Sequence, residues 1–262
     1  MSRNSYRAEF TVITGASAGL GAALARAYAS PGHRLGLIGR SESRLISVAD
    51  ECRRAGATVK FMVTDVTDAA AMEKVISDWD REHPVDLVIA NAGVFDGHGP
   101  DGRMELMHEI DAQVRINLLG LMATVNAVLP HMRERRCGTI ALVGSLAALQ
   151  PLADAPGYSA SKAGAMAYGE ALQEYLHGQG VRIALIYPGH IATAQVAGHV
   201  GALPHLTTPE AAAALIKRRL ERGHTMIAFP WQLVWLIRAG RLLPWRLRAL
   251  AGRGFRFHVR KE

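Results

Sequence analysis

The chain of 262 residues has only two cysteines, Cys52 and Cys137, far apart and without metal-ligand spacing. That excludes a disulfide framework and fits free thiols in a reducing, cytoplasmic compartment. Residues 1–9 contain no apolar h-region, so no secretory signal is expected. The uncharged run 225–237 in the tail is thirteen residues long and holds Pro230. It falls short of the roughly twenty residues that a membrane span needs. Internal repeats and low-complexity linkers are lacking. His98, His190, His199 and His205 lie in or near two loops but match no metal spacing, and solvated or substrate-lining roles are expected for them. Acids are scarce in one place: residues 217–262 hold twelve Lys/Arg against Glu221 and Glu262. The first 216 residues carry eighteen basic and twenty-one acidic side chains, so the formal charge of +7 belongs to the tail. A nucleic-acid-binding body is therefore not expected, and the question becomes what a local basic patch meets.

What is present is an ordinary globular composition, 49% apolar and 20% charged, at a length suited to one large α/β domain. Residues 10–14 form a short β-branched run. Gly15-Ala-Ser-Ala-Gly19-Leu-Gly21 follows, and alanine-rich residues 22–29 then read as helix. Strand, glycine turn and helix together make a pyrophosphate site, because glycines allow close backbone approach and the helix N-terminus offers N–H donors. The spacing is G-x-x-x-G-x-G rather than G-x-G-x-x-G. Further strands are expected at 34–38, 58–63 and 85–90, with intervening helices capped by Ser41 and by Thr67 or Asp68. This βαβαβαβ order with continuous apolar strands predicts a doubly wound parallel sheet of about seven strands, Rossmann-type, with helices on both faces. Gly15, Arg40, Asp65 and Asn91 all fall at strand C-termini, where such sheets bind ligands.

The second strand ends in Gly39-Arg40-Ser41 and has no acid until Glu42. A carboxylate there would accept from a ribose 2′-hydroxyl, whereas a guanidinium takes a 2′-phosphate bidentately. Arg40, helped by Ser17, therefore favours NADP(H) over NAD(H). A long helix is expected over 104–129, a strand over 139–143, a helix over 157–177, and strands over 181–187 and 225–229. Tyr158 and Lys162 at i and i+4 share one helix face. An ammonium beside the phenol would lower its pKa and fit it to exchange a proton with a carbonyl or alcohol, with Ser145 holding the same oxygen.

Thr14-Gly-Ala-Ser-Ala-Gly-Leu-Gly21, Asp65, Asn91-Ala-Gly93, Asn117, Ser145, Tyr158-x-x-x-Lys162 and Pro188-Gly189-x-x-x-Thr193 occur in this order. In that order and spacing the chain resembles the short-chain dehydrogenase/reductase family over about residues 8–195. Ala90 replaces the family's usual first Asn of Asn-Asn-Ala-Gly, and Ala18 stands where NADP-dependent members often carry a polar or basic residue. The resemblance implies an NAD(P)-dependent oxidoreductase interconverting a carbonyl and a secondary alcohol. Tyr158 would be the general acid or base, Ser145 the holder of the substrate oxygen, and Lys162 the anchor of the nicotinamide ribose. Asn117 would anchor a water that relays protons to Lys162. The cofactor would contact Gly15, Ser17, Ala18, Gly19, Leu20, Gly21, Arg40, Asp65, Val66, Asn91, Ala92 and Gly93. Beyond the catalytic helix it would contact Pro188, Gly189, Ile191 and Thr193. A homodimer or homotetramer through the two long helices is also implied.

The catalytic domain is expected over 1–230, with a substrate lid at 192–208 and a basic Trp/Leu/Arg-rich extension at 231–262. Val94, Phe95, Leu149 and Leu152 would make the cleft apolar, suited to an apolar or lipid-like small-molecule substrate. Trp and Leu interleaved with Arg in the extension fit either an amphipathic helix at a membrane surface or a segment packed on its own domain or on a neighbouring subunit. The alternative to an enzyme is a non-catalytic nucleotide-binding or docking module on the same scaffold. The intact Ser145, Tyr158 and Lys162 set argues against it.

Overall fold

A computed structural model of the chain describes residues 8–99, 101–194, 199–201, 203, 205–251 and 257–259. The first half alternates strand and helix: β1 (Phe10–Thr14), α1 (Gly19–Tyr28), β2 (Arg34–Gly39), α2 (Glu42–Arg54), β3 (Thr58–Val63), α3 (Ala69–Glu82) and β4 (Leu87–Ala90). The second half gives α4 (Met107–Val114), α5 (Leu121–Glu134), β5 (Gly138–Val143), α6 (Pro156–Tyr175), β6 (Val181–Pro188), β7 (His199–Gly201), α7 (Pro209–Glu221) and β8 (Met226–Phe229). The tail forms α8 (Trp231–Arg241), α9 (Trp245–Ala251) and β9 (Phe257–Val259).

Seven strands make one parallel sheet in the order β3-β2-β1-β4-β5-β6-β8. Every residue of β1, β4 and β5 is buried, which is why these strands read as unbroken apolar runs. One core packs α1, α2 and α7 against the sheet through residues such as Leu24, Leu45 and Ile216. The other packs α3, α5 and α6 on the opposite face through Met72, Val125 and Met166. The strand order reverses between β1 and β4, and this opens a crevice beyond their C-terminal ends.

Two helices differ from the sequence expectation. α1 begins at Gly19, so two of the turn glycines lie in its first turn. The helix expected over 104–129 runs instead from Met107 to Glu134, through a π turn at Arg115–Gly120 and past Pro130. Proline lacks only its own N–H, so the helix loses one bond there. Burial of Val125, Val128 and Met132 carries it on. Asp68 caps α3 by accepting from the Ala71 N–H at 2.9 Å. Ser41 occupies the N-cap position of α2, but its side chain makes no capping bond.

The tail folds back. α8 packs on β8 and buries Val234 in the second core. β9 pairs antiparallel with β7, His199 opposite Val259, and so joins the tail to the 192–208 segment. The stems of that segment are tied by a bridge between Ile191 and Thr207. Residues 195–198, 202 and 204 of the expected lid lie outside the described residues, as do Arg253, Arg256, Arg260 and Lys261.

Candidate active site

A cavity of about 1220 Å³ runs along the C-terminal edge of the sheet. That exceeds the usual span for one small ligand and has room for a dinucleotide and a substrate. Its first end is the glycine turn. Gly15 and Gly19 adopt φ values of +66° and +53°. A Cβ on Gly15 would lie 2.8 Å from the Ala92 Cα, and one on Gly21 would lie 2.1 Å from the Gly15 carbonyl oxygen. Only glycine fits at these contacts. The turn lays Ser17, Ala18 and Leu20 along the cavity wall at the start of α1. α1 has no side-chain N-cap and no acid in its first turn, so its N–H groups face the cavity with no carboxylate competing for them.

Asn91 holds this end together. Its Nδ2 donates to the Thr14 carbonyl at 2.9 Å, while its N–H and that of Ala92 donate to Thr14 Oγ1 at 3.0 and 3.1 Å. Asn91, Ala92 and Gly93 line the cavity. Gly93 is small for a reason: a Cβ there would stand 3.0 Å from Asn117 Oδ1 and 3.2 Å from Lys162 Nζ.

Arg40 and Asp65 sit at the ends of β2 and β3, 3.7 Å apart and well exposed. Such a pair contributes little to stability. The guanidinium can therefore turn to a phosphate at small cost. Asp65 Oδ1 also accepts from the Thr67 N–H and hydroxyl at 2.9 and 2.8 Å, which makes it a turn former as well as a wall residue. Val66 lines the cavity and packs under Gly120. Ser41 and Arg44, which the sequence reading did not single out, join Arg40 at this wall. A signal was available for Arg44, which lies one helical turn beyond Arg40; Ser41 reads in the sequence only as a cap.

At the other end Tyr158 and Lys162 project from the first turns of α6. Lys162 is 5% exposed, and its Nζ donates to the Val143 carbonyl at 3.0 Å. Burial pushes its ammonium down from 10.5 to about 8. Nζ lies 6.0 Å from the Tyr158 ring centroid. Burial raises the Tyr158 phenol above its ordinary value, and a hydrogen bond with Ser145 pulls it back. The expected lowering by Lys162 is thus not the balance found: desolvation disfavours the phenolate and outweighs Ser145. Ser145 stands at the end of β5, where its Oγ also accepts from the Ala147 N–H at 3.1 Å.

Asn117 lies in the π turn and is fully buried behind the cavity wall. Its Oδ1 accepts from the Val94 N–H at 2.8 Å. Its Nδ2 donates to the Val94 carbonyl at 2.9 Å and to Ser161 Oγ at 3.0 Å. These bonds occupy the side chain, which fixes the loop after β4. Pro188, Gly189, Ile191 and Thr193 continue the wall from β6. Thr193 reaches the glycine turn, its Cγ2 3.0 Å from where a Gly19 Cβ would stand.

Val94, Phe95 and Leu152 line the cavity, whereas Leu149 packs against the core instead. Phe95 meets the Tyr158 ring edge-on at 4.9 Å and the Phe257 ring at 6.0 Å. His190 lines the cavity. His98 faces Asp154, its Nδ1 3.9 Å from Oδ1. Much of the apolar wall comes from the tail: Leu233, Leu236, Ile237, Leu243, Trp245 and Phe257. One buried acid behind the site had no sequence signal. Glu105, 8% exposed, accepts from the Gly157 N–H at 2.7 Å and from Gln113 Nε2 at 2.8 Å. It thereby clamps the N-terminus of α6 one residue before Tyr158.

Sheet order, glycine turn and cavity define a dinucleotide-fold α/β protein with its ligand site at the strand C-termini. Residues 9–200 match the short chain dehydrogenase family model, and the chain belongs to that family of oxidoreductases. It is 37% identical over 257 residues to an uncharacterized oxidoreductase of Myxococcus xanthus, covering 98% of this chain and 100% of that one. It is 30% identical to the ketoacyl reductase HetN of Nostoc, over 82% of this chain and 76% of that protein. Among solved structures, a short-chain dehydrogenase from Sphingobium yanoikuyae in complex with NADPH superposes with a TM-score of 0.76. The two are 25% identical, and the match covers 89% of this chain and 94% of that chain.

Proposed function

We propose that this protein is an NADP(H)-dependent carbonyl reductase or alcohol dehydrogenase acting on an apolar, lipid-like substrate. The observation that carries the reading is that Ser145, Tyr158 and Lys162 line one end of a single cavity that begins at an uncapped glycine turn. Phe95 packs on the phenol, Val94, Leu152 and Phe257 line the same cavity, and the Nostoc relative is named for ketoacyl reduction.

The residues present fit a dinucleotide. Gly15, Gly19 and Gly21 make a cradle that a Cβ would fill, the N–H groups at the start of α1 suit a pyrophosphate, and Arg40 suits a 2′-phosphate. Bound there, NADPH would supply the hydride. Asp65 and Val66 would border the adenine. Lys162 would hold the ribose hydroxyls by trading its bond to the Val143 carbonyl, and Ile191 and Thr193 would meet the carboxamide. Ser145 holds the substrate oxygen and Tyr158 gives it a proton, or takes one in the reverse direction. A phenol raised by burial is protonated at neutral pH, as a donor to a carbonyl must be. Asn117 would anchor a water relay to Lys162 from the π turn, a helix irregularity frequent at functional sites. Met107, Leu119 and Tyr175 leave large apolar surface on the two long helices, which supports assembly of two or four chains through them. Light scattering in solution tests that assembly.

The test of function is NADPH oxidation across ketones of increasing chain length. Tyr158→Phe is expected to lower kcat by about 10²–10⁴-fold, the range of general acid catalysis. The melting temperature should be unchanged. Full activity in that variant, or no turnover of any ketone or alcohol by the wild type, would overturn the reading.

A further inference from the structure

We propose that α8 and α9 form a docking surface for an anionic phospholipid bilayer. α8 has two unlike sides. Leu233, Val234 and Ile237 turn into the protein, with Val234 8% exposed. Trp231, Trp235, Arg238 and Leu242 lie on the other side at helical spacing, with Trp231 67%, Trp235 65% and Leu242 88% exposed. α9 adds Trp245, Leu247 and Leu250, each more than half exposed, and Arg246 stacks over the Trp245 ring at 5.6 Å. Isolated exposed leucines are common, but a contiguous set of this kind marks a partner surface.

Charge selects the partner. From Arg222 to Lys261 the sequence contains no Asp or Glu, and Arg238, Arg241, Arg246 and Arg248 are set among the tryptophans and leucines. A second copy docked on this face about a two-fold axis would bring arginines against arginines with no carboxylate between them. A bilayer surface with anionic headgroups supplies both needs at once: an apolar boundary for Trp and Leu, and phosphates for Arg. The first 216 residues, with eighteen basic and twenty-one acidic side chains, are not drawn to such a surface, so the tail sets the orientation. Leu236 and Gly240 of α8, and Leu243 just beyond it, line the large cavity. Docking therefore places one cavity wall beside the bilayer, and a substrate dissolved in lipid would enter past α8. That last clause rests on the reductase reading; the docking does not.

The experiment is sedimentation of the full chain with vesicles of phosphatidylcholine alone and of phosphatidylcholine mixed with phosphatidylglycerol. Binding is expected on the mixed vesicles and to weaken in high salt. Trp231→Ser/Trp235→Ser and Arg238→Glu/Arg241→Glu should each weaken it by about tenfold or more. Neither pair lines the cavity, so melting temperature and turnover of a small water-soluble ketone should stay as in the wild type. Equal pelleting on both vesicle types, or by the variants and the wild type, overturns the proposal. So does unchanged vesicle binding together with a fall in oligomeric state for the tryptophan variant, which would assign the face to a second copy. If no ketone is reduced, the reductase reading fails and the vesicle result stands by itself.

Discussion

Arg40 is bound only loosely, at 3.7 Å from Asp65 in open solvent, so its removal has little to disturb besides a ligand. Arg40→Ala should weaken NADPH binding by about 10–100-fold, the worth of charge-assisted hydrogen bonds, and leave NADH nearly unaffected. Equal losses for the two cofactors, measured by calorimetry, would mean that Arg40 does not read the phosphate. Glu105 is the opposite case, a buried carboxylate whose two oxygens are both used. Glu105→Ala strands the Gly157 N–H and Gln113, at about 1–3 kcal/mol for each buried group left unpaired. Because Gly157 adjoins Tyr158, the phenol should shift with it. Glu105→Gln keeps an acceptor and should restore the pH profile of kcat. A loss of stability with an unaltered pH profile in the alanine variant would reduce Glu105 to a structural clamp. Sequence could point to Tyr158 and Lys162 because their spacing is local to one helix. It could not point to Glu105, whose partner is fifty-two residues away.

At the scale of elements, the central strands of the large sheet were legible because both faces are covered and their apolar runs are continuous, and the edge strand β3 was legible from its β-branched and aromatic residues. Expected and observed limits of β1 and β3 coincide. The end of α5 was not legible, since Pro130 is a local stop signal that tertiary burial overrides. β7 and β9 were missed altogether. They are three residues each and pair with one another across nearly sixty residues of chain. That pairing matters, because it brings Phe257 to within 6.0 Å of Phe95, and Phe95 packs on Tyr158. Asp154 Oδ2 accepts from the Phe257 N–H at 3.2 Å and pins the strand there. Phe257→Ala removes a wall and leaves the phenol in place. The kcat/KM profile over ketones of rising bulk should move towards larger ones, with KM for the smallest raised several-fold and kcat held. An unchanged profile would place Phe257 outside the substrate's reach.

For the whole molecule, the burial that builds the site also couples stability to pH in two opposing ways. Lys162 titrates at about 8 in the folded protein against 10.5 ordinarily, so between these values the unfolded chain binds a proton that the folded one does not. Stability then rises with pH across that window, by about 3 kcal/mol at most, and the gain is lost as pH falls through about 8. Cys52 works the other way. Burial pushes its thiol from 9.0 up to about 11, so the folded state keeps the proton longer, and stability falls as pH rises from 9 towards 11. Tyr28 and Tyr187, both raised by burial, add to that fall above pH 10. The wild type should therefore hold nearly level from pH 8 to 9.5 and then drop. Lys162→Met deletes the rising contribution alone. Denaturant unfolding of the cofactor-free proteins should show the wild type gaining on the variant from pH 8 to 10.5. Parallel curves would mean that the Lys162 ammonium is not held at a cost in the folded protein. The balance between burial and charge at Tyr158 would then have to be redrawn as well, because one desolvated pocket shifts both groups.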